Sequence, residues 1–454
     1  MTNQPSALAS ALVLAERSVP RYTSYPTAPH FSAKIGREEA RAWLGALSPD
    51  ATLSLYLHVP YCSAICNYCG CHTKAVRRAE PLDDYTETLE AEIASLARLT
   101  PARRVTHIHW GGGTPSLLGP KRLTRLADVL RTNFDLGGIV EHAIELDPRT
   151  VDESLAVGLA AMGVNRTSLG VQDLNHHVQV AIGRIQPAEV VTQAVEHLRA
   201  AGIEAINLDL MYGLPEQTEA DVERTARLAA ALGPNRLAIF GYAHVPWFKA
   251  HQKLIDASKL PGAAARMAQA EVARQVLCEA GYEAIGLDHF ARPDDDMAVA
   301  QREGRLRRNF QGYTTDVADA LLPLGVSSIG KLPQGYVANA ADLGGWRRAV
   351  EAGEPAINRG IAFTDDDRAR AAVIERLMCD FAVDYGALAA DMLGNAAALD
   401  DAAPVLAERV AEGIAIVEGR RVFVPDEGRP FVRLVAAAFD DYLAGQQARH
   451  SVAV

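Results

Sequence analysis

Residues 52–74 read T-L-S-L-Y-L-H-V-P-Y-C-S-A-I-C-N-Y-C-G-C-H-T-K, a strand-like apolar run followed directly by a loop rich in cysteine. Cys62, Cys66 and Cys69 have the spacing C-x3-C-x2-C, and Cys71 follows two residues later. Three thiolates on one short loop can bind one metal centre and leave a coordination position for another ligand. This layout is typical of an iron–sulfur cluster with one open iron. Zinc sites usually pair C-x2-C with a second Cys/His pair downstream, and the sequence has no clean second pair.

The composition indicates a globular protein of a reducing compartment. The 454 residues are 49% hydrophobic, which is ample for a core, and the formal net charge of −11 argues against broad binding to nucleic acid. A secreted disulfide framework would distribute its cysteines along the chain. Here four of the six fall within ten residues, the full set being Cys62, Cys66, Cys69, Cys71, Cys278 and Cys379.

The beginning of the chain does not have the pattern of a targeting signal. Its short apolar run lacks a basic start, and Glu16 and Arg17 follow at once. We therefore predict a helix over residues 1–20 that packs on the body. No run approaches the roughly 20 apolar residues of a membrane span, so we expect a cytosolic protein without membrane insertion.

From residue 52 onward, predicted strands alternate with predicted helices. The strands are expected at residues 52–59, 105–110, 143–147, 167–172, 205–213 and 237–242, and the helices near 83–98, 120–134, 151–162, 187–201, 218–232 and 263–280. Six such units, without a dinucleotide fingerprint after the first strand, predict an α/β fold with a full or partial (β/α) barrel. In barrels the chemistry lies at the carboxyl ends of the strands. Those ends carry the cysteines, residues 111–114, Glu145, Gln172, Asp209 and residues 242–244.

Two further parts flank the predicted barrel of residues 51–345. Residues 1–50 combine the first helix with a proline-rich and aromatic arm at 21–31, which either covers the body or closes on a substrate. Residues near 340–362 are expected to be a linker. The part at 360–454 is predicted to hold helices at 366–380, 384–393 and 402–412, a hairpin around Glu418-Gly419 and a last helix near 428–446. This order resembles a winged-helix module, but no basic recognition helix is visible, which favours a packing or lid role.

Residues 292–313 are predicted to be a long charged connection with four close arginines, Arg302, Arg305, Arg307 and Arg308. Such a run is usually a solvated face. It is also able to bind several carboxylates, since arginine pairs with them through two hydrogen bonds. The local sequence leaves both interpretations open.

Several polar residues at the predicted strand ends allow two interpretations each. The G-G-G-T-P of residues 111–115 permits close approach to the backbone, or is simply a tight turn. Asp209 could bind ribose hydroxyls or cap a helix, and Glu145 could bind a ligand ammonium or loop amides. Gln172 and Arg184 could each be structural instead, and for each of the histidines near the strands the structural role is favoured.

Together, the three-cysteine motif on the first βα loop and G-G-G-T-P on the second resemble the radical S-adenosylmethionine (SAM) enzymes. In that family three thiolates hold a 4Fe–4S cluster, and the methionine end of SAM chelates the fourth iron. An electron from the cluster cleaves the sulfonium and yields a 5′-deoxyadenosyl radical. The resemblance implies a partial (β/α)6 barrel of the TIM type that binds a 4Fe–4S cluster and SAM.

Seven segments resemble, more narrowly, the family of oxygen-independent coproporphyrinogen III oxidases. They are R-Y-T-S-Y-P-T-A (21–28), C-x3-C-x2-C-G-C (62–71), H-W-G-G-G-T-P (109–115), G-V-Q-D (170–173), D-L-M-Y-G-L-P-E-Q-T (209–218), D-H-F-A-R-P-D-D (288–295) and N-F-Q-G-Y-T-T (309–315). The helical part near the end of the chain also fits this family. One departure from the family pattern is G-K-L-P-Q-G-Y, which follows Ser327-Ser328-Ile329.

This resemblance implies a role for each matching residue. Cys62, Cys66 and Cys69 would be the metal ligands. Tyr56, Gly112, Glu145 and Ile329 would contact the SAM molecule on the iron, and a second SAM would be surrounded by Tyr68, Gly113, Thr114, Gln172, Arg184, Asp209 and Ala243. Cys71 would not be a ligand, and the residues expected to matter for turnover are Tyr56, Cys71 and Glu145.

The implied reaction is the oxidative decarboxylation of two propionates of coproporphyrinogen III to vinyl groups, which gives protoporphyrinogen IX. It implies an external electron donor such as flavodoxin or ferredoxin, and the family suggests a monomer. Four propionates need several cations, which favours Arg21 and the arginine run as carboxylate ligands.

One alternative is a haem chaperone on the same scaffold, against which Cys71 and the 21–31 arm argue. A structural zinc protein is the second alternative.

Overall fold

The computed structural model describes residues 7–443 of the chain. Its helices, numbered in chain order, are α1 (Ala7–Ala15), α2 (Arg37–Gly45), α3 (Glu80–Leu99), α4 (Gly119–Asn133), α5 (Glu153–Ala161), α6 (His176–Ala181), α7 (Ala188–Ala200), α8 (Glu219–Ala231), α9 (Ala263–Glu279), α10 (Asp296–Arg302), α11 (Leu343–Glu351), α12 (Asp365–Asp380), α13 (Tyr385–Leu393), α14 (Ala403–Ala411) and α15 (Val432–Ala436). None of the helices described is long and apolar enough to cross a membrane.

The strands are numbered in the same way. They are β1 (Thr52–Val59), β2 (Tyr61–Cys62), β3 (Lys74–Ala75), β4 (Arg104–Gly112), β5 (Glu141–Leu146), β6 (Arg166–Gln172), β7 (Ala205–Tyr212), β8 (Arg236–Gly241), β9 (Glu283–Ile285), β10 (His289–Ala291), β11 (Arg307–Asn309), β12 (Gly312–Thr314), β13 (Ala320–Leu324), β14 (Ile329–Leu332), β15 (Gly335–Asn339), β16 (Ile357–Ala362), β17 (Ala382–Asp384), β18 (Ile416–Glu418) and β19 (Arg421–Phe423).

The central sheet contains twelve strands in the order β16-β15-β14-β13-β1-β4-β5-β6-β7-β8-β10-β9. The six strands from β1 to β8 in this order pair in parallel, and helices follow them along the chain. The parallel strands do not close on themselves, because β13 continues the sheet beyond β1 and β10 continues it beyond β8. The predicted partial (β/α)6 barrel is therefore confirmed.

Along each barrel strand, successive side chains alternate between a buried apolar environment and a polar one. In β7, Ile206, Leu208 and Leu210 are buried in the main core, whereas Asn207 and Asp209 are half-buried on the other face. Successive side chains of a strand point to opposite faces, so the apolar set packs under the helices and the polar set lines the interior. The same alternation in β4, β5 and β6 makes the interior of this barrel polar.

The segment expected to be a linker near 340–362 folds as part of the main body instead. Helix α11 packs on α3, where Trp346 stacks on Tyr85 with ring centroids 4.7 Å apart. Strand β16 then adds to the edge of the central sheet beside β15. Its four glycines (Gly344, Gly345, Gly353 and Gly360) and its charged residues gave the segment a loop-like composition, but the fully buried Trp346 anchors it.

The long connection expected at 292–313 is also more regular than predicted. It contains α10 and the two-stranded hairpin β11-β12. Residues 283–290, which have the composition of one strand, form the short antiparallel strands β9 and β10 around Gly286, which has φ +55°. Neighbouring segments supply the packing that stabilises such short elements.

Helices α12 to α15 and the small sheet β17-β19-β18 build a second core near the end of the chain. Helix α12 begins with the predicted capping box, in which Thr364 and Asp367 bond each other's backbone N–H. The single last helix predicted near 428–446 is wrong for the residues described. Only Val432–Ala436 is α-helical there, between 3-10 turns at 426–431 and 437–439, and Pro430 interrupts the first turn. Residues 444–446 lie outside the described range.

The arm near the beginning of the chain packs on this second core. Tyr22 donates a hydrogen bond from its hydroxyl to Asp440 at 2.9 Å, and the hydroxyl of Tyr25 accepts one from the Asp441 N–H at 3.1 Å. Leu14 of α1 is buried in the same cluster. Of the helix predicted over residues 1–20, the structure shows residues 7–15 as α-helix, and residues 1–6 lie outside the described range.

Candidate active site

The cysteine loop leaves the carboxyl end of β1, and hydrogen-bond donors surround its sulfurs. The hydroxyls of Thr73 and Thr114 lie 3.2 Å and 3.4 Å from the Cys62 sulfur. Arg184 Nη1 lies 3.6 Å from the sulfur of Cys66. Donors aimed at sulfur stabilise thiolate charge, and such contacts tune protein-bound iron–sulfur clusters. The donor set therefore fits a cluster held by these thiolates.

Cys69 and Cys71 contact each other. The Cys71 N–H donates to the Cys69 sulfur at 3.4 Å. A side-chain hydrogen bond from Cys71 lowers the pKa of the Cys69 thiol to about 6 and raises that of Cys71 well above its ordinary value. The hydrogen bond thus favours the thiolate form of Cys69 over that of Cys71.

Among residues 7–443, no three His, Cys, Asp or Glu side chains are arranged to hold a single metal ion. A 4Fe–4S cluster is a different kind of site, because each of its thiolates binds a different iron. The fit of the cysteine loop to a cluster therefore rests on the sequence spacing and on the donors to the sulfurs.

The glycine run of β4 lies against the site side chains at very short range. A Cβ on Gly111 would stand 2.9 Å from Glu145 Oε1 and 3.0 Å from the hydroxyl of Tyr56. A Cβ on Gly112, whose φ is +109°, would stand 2.7 Å from the imidazole ring of His58. Contacts this short exclude any larger residue without displacement of these groups. The run is thus required by close packing at the strand end, and not only by the turn.

Glu145 is held near the end of β5 by two contacts. Its Oε2 accepts the Gly112 N–H at 3.2 Å, and its Oε1 lies 3.2 Å from His109 Nε2. Burial opposes ionisation, but the hydrogen bonds from His109 and Gly112 outweigh it and lower the pKa of Glu145. An ionised carboxylate at this position can bind an ammonium group.

Tyr56 lies directly across from His109 on the neighbouring strand, and their rings stack with centroids 5.8 Å apart. The hydroxyl of Ser328 lies 3.3 Å from the backbone carbonyl of Tyr56, which brings Ile329 to the same strand end. The structure therefore brings together Tyr56, Gly112 and Glu145, three of the four residues predicted around the first SAM. Ile329 follows Ser328, and its side chain packs against the cluster of Phe31, Tyr336 and Ala338.

The residues predicted around a second SAM lie on the next strands and on the cysteine loop. Asp209 accepts hydrogen bonds from Ser168 at 2.7 Å and Asn207 at 2.8 Å, and burial raises the pKa of its carboxyl. Gln172 has φ +68° at an irregular point of the β6–β7 pairing. Both therefore stand at the carboxyl edge of the barrel, as predicted from the strand ends.

Arg184 connects this edge to the cysteine loop. It is buried, donates from Nη2 to the Gly170 carbonyl at 2.7 Å and forms an ion pair with Asp147 at 3.2 Å.

Gln252 connects two predicted site residues from distant segments, Tyr68 and Ala243. Its side-chain amide donates to their backbone carbonyls at 2.8 Å and 3.4 Å. Among the strand histidines, His109 was expected to have a structural role, yet it contacts Glu145. Gln252 was not predicted, and the sequence around it carries no signal for its role.

A cavity of about 1000 Å³ opens beside Ala243, between the ends of β7 and β8, helix α9, the β11-β12 hairpin and α15. Six arginines and four carboxylates line it. The predicted carboxylate-binding role of the arginine run is wrong for three of its members, because Arg302, Arg305 and Arg307 pair at the surface with Glu283, Glu303 and Glu375. Arg308 does line the cavity, and so does Arg21.

Comparisons with known proteins define the class and then the family. Residues 56–229, which include the cysteine loop and the strands β4 to β7, match the model of the radical SAM superfamily. The partial barrel with three clustered cysteines at its carboxyl edge is thus that of a radical SAM protein.

Proteins that are similar to this chain over its whole length identify the family within this superfamily. The oxygen-independent coproporphyrinogen III oxidase of Bradyrhizobium diazoefficiens is 47% identical over 445 residues, which cover 98% of this chain and 99% of that one. The enzyme of the same description from Escherichia coli K12 is 40% identical over 433 residues, which cover 95% and 94% of the two chains. The solved structure of coproporphyrinogen III oxidase (HemN) from Escherichia coli, described as a radical SAM enzyme, has a TM-score of 0.89 and 38% identity, covering 94% of this chain and 100% of that one. The chain belongs to the family of oxygen-independent coproporphyrinogen III oxidases.

Proposed function

We propose that this protein converts coproporphyrinogen III to protoporphyrinogen IX without oxygen, by oxidative decarboxylation of two propionate side chains. The observation that carries the proposal is the end-to-end match to oxidases of this family in a chain with a thiolate loop at the barrel edge. Removal of a hydrogen atom from the β-carbon of a propionate, followed by loss of CO2 and transfer of one electron to an external one-electron acceptor, leaves a vinyl group. The haem-chaperone alternative has no comparable support.

Membership in the radical SAM superfamily implies a 4Fe–4S cluster and SAM as cofactors. When bound, they supply the adenosyl radical that abstracts the hydrogen atom. We propose that Cys62, Cys66 and Cys69 are the cluster ligands. The hydrogen bonds from Thr73, Thr114 and Arg184 to two of these sulfurs support this assignment.

Two neighbouring sets of residues would bind SAM. Glu145 would hold the ammonium of the SAM on the iron, since its carboxylate is ionised and faces the interior. Tyr56, Gly112 and Ile329 would complete that wall. We propose a second SAM against Asp209, whose carboxylate suits ribose hydroxyls, together with Tyr68, Gly113, Thr114, Gln172, Arg184 and Ala243.

The chain itself would exclude water and orient the substrate. A primary carbon radical needs a pocket from which water is excluded. The arm, the second core and the barrel edge all line the cavity near Ala243. Cys71 would contribute to turnover from its position beside Cys69.

Partners follow from the chemistry of the proposal. Reductive cleavage of SAM needs an external one-electron donor, for which we propose a flavodoxin or a ferredoxin. We further propose a monomer in the cytosol with no nucleic-acid partner, in agreement with the net charge of −11.

The decisive experiment is an anaerobic assay with the reconstituted protein, coproporphyrinogen III, SAM and a reductant. Protoporphyrinogen should form with the native chain, should be abolished in Cys62→Ser and should be retained in Cys278→Ser, since Cys278 is exposed on α9. Absence of product together with stable haem binding would instead support a haem chaperone. Zinc in place of iron and sulfide would support the structural zinc protein.

A further inference from the structure

Four arginines from four separate segments converge on the cavity beside Ala243. Arg21 comes from the arm and donates to the Gly241 carbonyl at 3.4 Å. Arg266 lies on α9, Arg308 on β11 and Arg433 on α15. The other two arginines that line the cavity, Arg274 and Arg429, form ion pairs with Glu271 and Asp426. We call the first four the arginine wall.

Two members of the arginine wall present buried N–H groups that have no hydrogen-bond partner among the described residues. These groups are Nε of Arg266 and both Nε and Nη1 of Arg308. Buried polar groups are nearly always hydrogen-bonded, and leaving a charged donor unsatisfied is costly. The cavity therefore lacks acceptors that a ligand would have to supply.

The position of Arg308 is set before any ligand binds. Its guanidinium stacks on the Tyr313 ring at 4.3 Å. The hydroxyl of Tyr313 donates to the Met378 carbonyl at 2.7 Å and accepts the Leu287 N–H at 3.1 Å. Such preorganisation lowers the entropic cost of binding an anion.

The guanidinium groups of the arginine wall also repel one another. Burial, together with the charges of Arg21 and Arg308, lowers the pKa of Arg433 to about 10. Burial and the charge of Arg21 likewise lower the pKa of Arg266. Asp288, which lines the same cavity, pairs with His289 at 2.7 Å. An anionic ligand would supply acceptors to the buried N–H groups of Arg266 and Arg308 and would be stabilised by the surrounding positive charge.

We propose that Arg21, Arg266, Arg308 and Arg433 bind the propionates of the tetrapyrrole that are not reacting, and so direct the reacting propionate toward the barrel edge. This inference rests on the proposed function and deepens it. Guanidinium groups recognise carboxylates through paired hydrogen bonds, and a cavity of about 1000 Å³ is at the upper end for small-molecule sites. Because Arg21 and Arg433 belong to the arm and to the second core, the site is complete only when both pack on the barrel.

The test measures binding of coproporphyrin III, a stable tetracarboxylate, by fluorescence quenching under anaerobic conditions with the reconstituted protein. The variants are Arg266→Gln, Arg308→Gln and Arg433→Gln. Each should weaken binding by about 10- to 100-fold, as expected for loss of a charge-assisted hydrogen bond. The matched control is Arg305→Gln, whose native partner is the surface residue Glu303, and it should bind like the native protein.

Three further measurements separate recognition from folding. Arg433→Lys, which keeps the charge, should recover part of the affinity. The loss in Arg266→Gln should be smaller for mesoporphyrin IX, which has two carboxylates, than for coproporphyrin III. In turnover the KM for coproporphyrinogen III should rise more than kcat falls.

Native affinity for coproporphyrin III in both Arg266→Gln and Arg308→Gln would overturn the proposal, as would equal losses for the two porphyrins. Failure of the proposed function would look different. The native protein would then give no protoporphyrinogen, whatever the affinities of the arginine variants.

Discussion

Gln252 donates a hydrogen bond from its side-chain amide to the backbone carbonyl of Tyr68 at 2.8 Å, across 184 positions of sequence. Tyr68 lies between Cys66 and Cys69, and Gln252 lies in the loop that follows β8. The same amide donates to the Ala243 carbonyl, and its oxygen accepts the Val245 N–H at 2.6 Å. One buried side chain thus connects the cysteine loop to the wall of the arginine-lined cavity.

Gln252→Leu should therefore disturb both sites. It leaves these backbone groups unpaired in a buried position, at a cost of about 1–3 kcal/mol per group. We expect a lower unfolding temperature and at least tenfold slower turnover, measured by calorimetry and by the anaerobic assay. Gln275→Leu is the control, because the Gln275 amide only reaches Glu279 on the exposed face of α9. Equal behaviour of the two variants would show that the connection has no role.

Gly111→Ala should impair SAM binding without unfolding the protein. The added methyl group would lie 2.9 Å from Glu145 Oε1 and 3.0 Å from the Tyr56 hydroxyl, so both side chains would have to move. We expect at least tenfold weaker SAM binding in equilibrium dialysis with the reconstituted protein. Gly262→Ala, with no atom within 4 Å of the new Cβ, is the control. Native affinity in Gly111→Ala would contradict the proposed position of SAM.

Thr114→Val should shift the reduction potential of the cluster to more negative values. The substitution keeps the side-chain shape but removes the hydroxyl that lies 3.4 Å from the Cys62 sulfur. Hydrogen bonds to the ligand sulfurs favour the reduced cluster, which carries more negative charge. The measurement is a potentiometric titration followed by electron paramagnetic resonance. Thr132→Val, on the exposed face of α4, should leave the potential unchanged, and a shift in that variant would invalidate the interpretation.

Glu92 should make the stability of the protein depend on pH. Burial raises the pKa of this carboxyl to about 7, although Gly325 and Asn339 donate hydrogen bonds to it. Between the ordinary carboxyl range and pH 7 the folded state therefore holds more protons than the unfolded state. The free energy of unfolding should fall as pH rises through this interval, and then level off.

Glu92→Gln should remove this dependence. It should also destabilise the protein by about 1–3 kcal/mol, because its amide nitrogen would face a donor. Urea unfolding at several pH values measures both effects. Glu87→Gln, on the exposed side of the same helix, should retain the native pH slope, and a native slope in Glu92→Gln would show that another group is responsible.

The sequence by itself determined the order of the barrel units and the metal loop. Apolar alternation in β4 to β7 and the spacing of Cys62, Cys66 and Cys69 are local properties, and burial of alternate side chains converts them directly into a sheet with a polar interior. The strand ends then predicted Glu145, Gln172 and Asp209, because parallel strands end at the same edge.

Only the tertiary structure decided which arginines face the cavity. Arg302, Arg305 and Arg307 look equivalent to Arg308 in sequence, yet each of their side chains forms an ion pair with a glutamate at the surface. Within residues 7–443 no such ion pair is seen for the side chain of Arg308, which lines the cavity instead. Arg266 and Arg433 carried no sequence signal, since their surroundings come from segments far apart along the chain. The local sequence pattern indicates which face of a helix or strand is buried. The balance of charge in a cavity depends instead on which distant helices and strands pack around it.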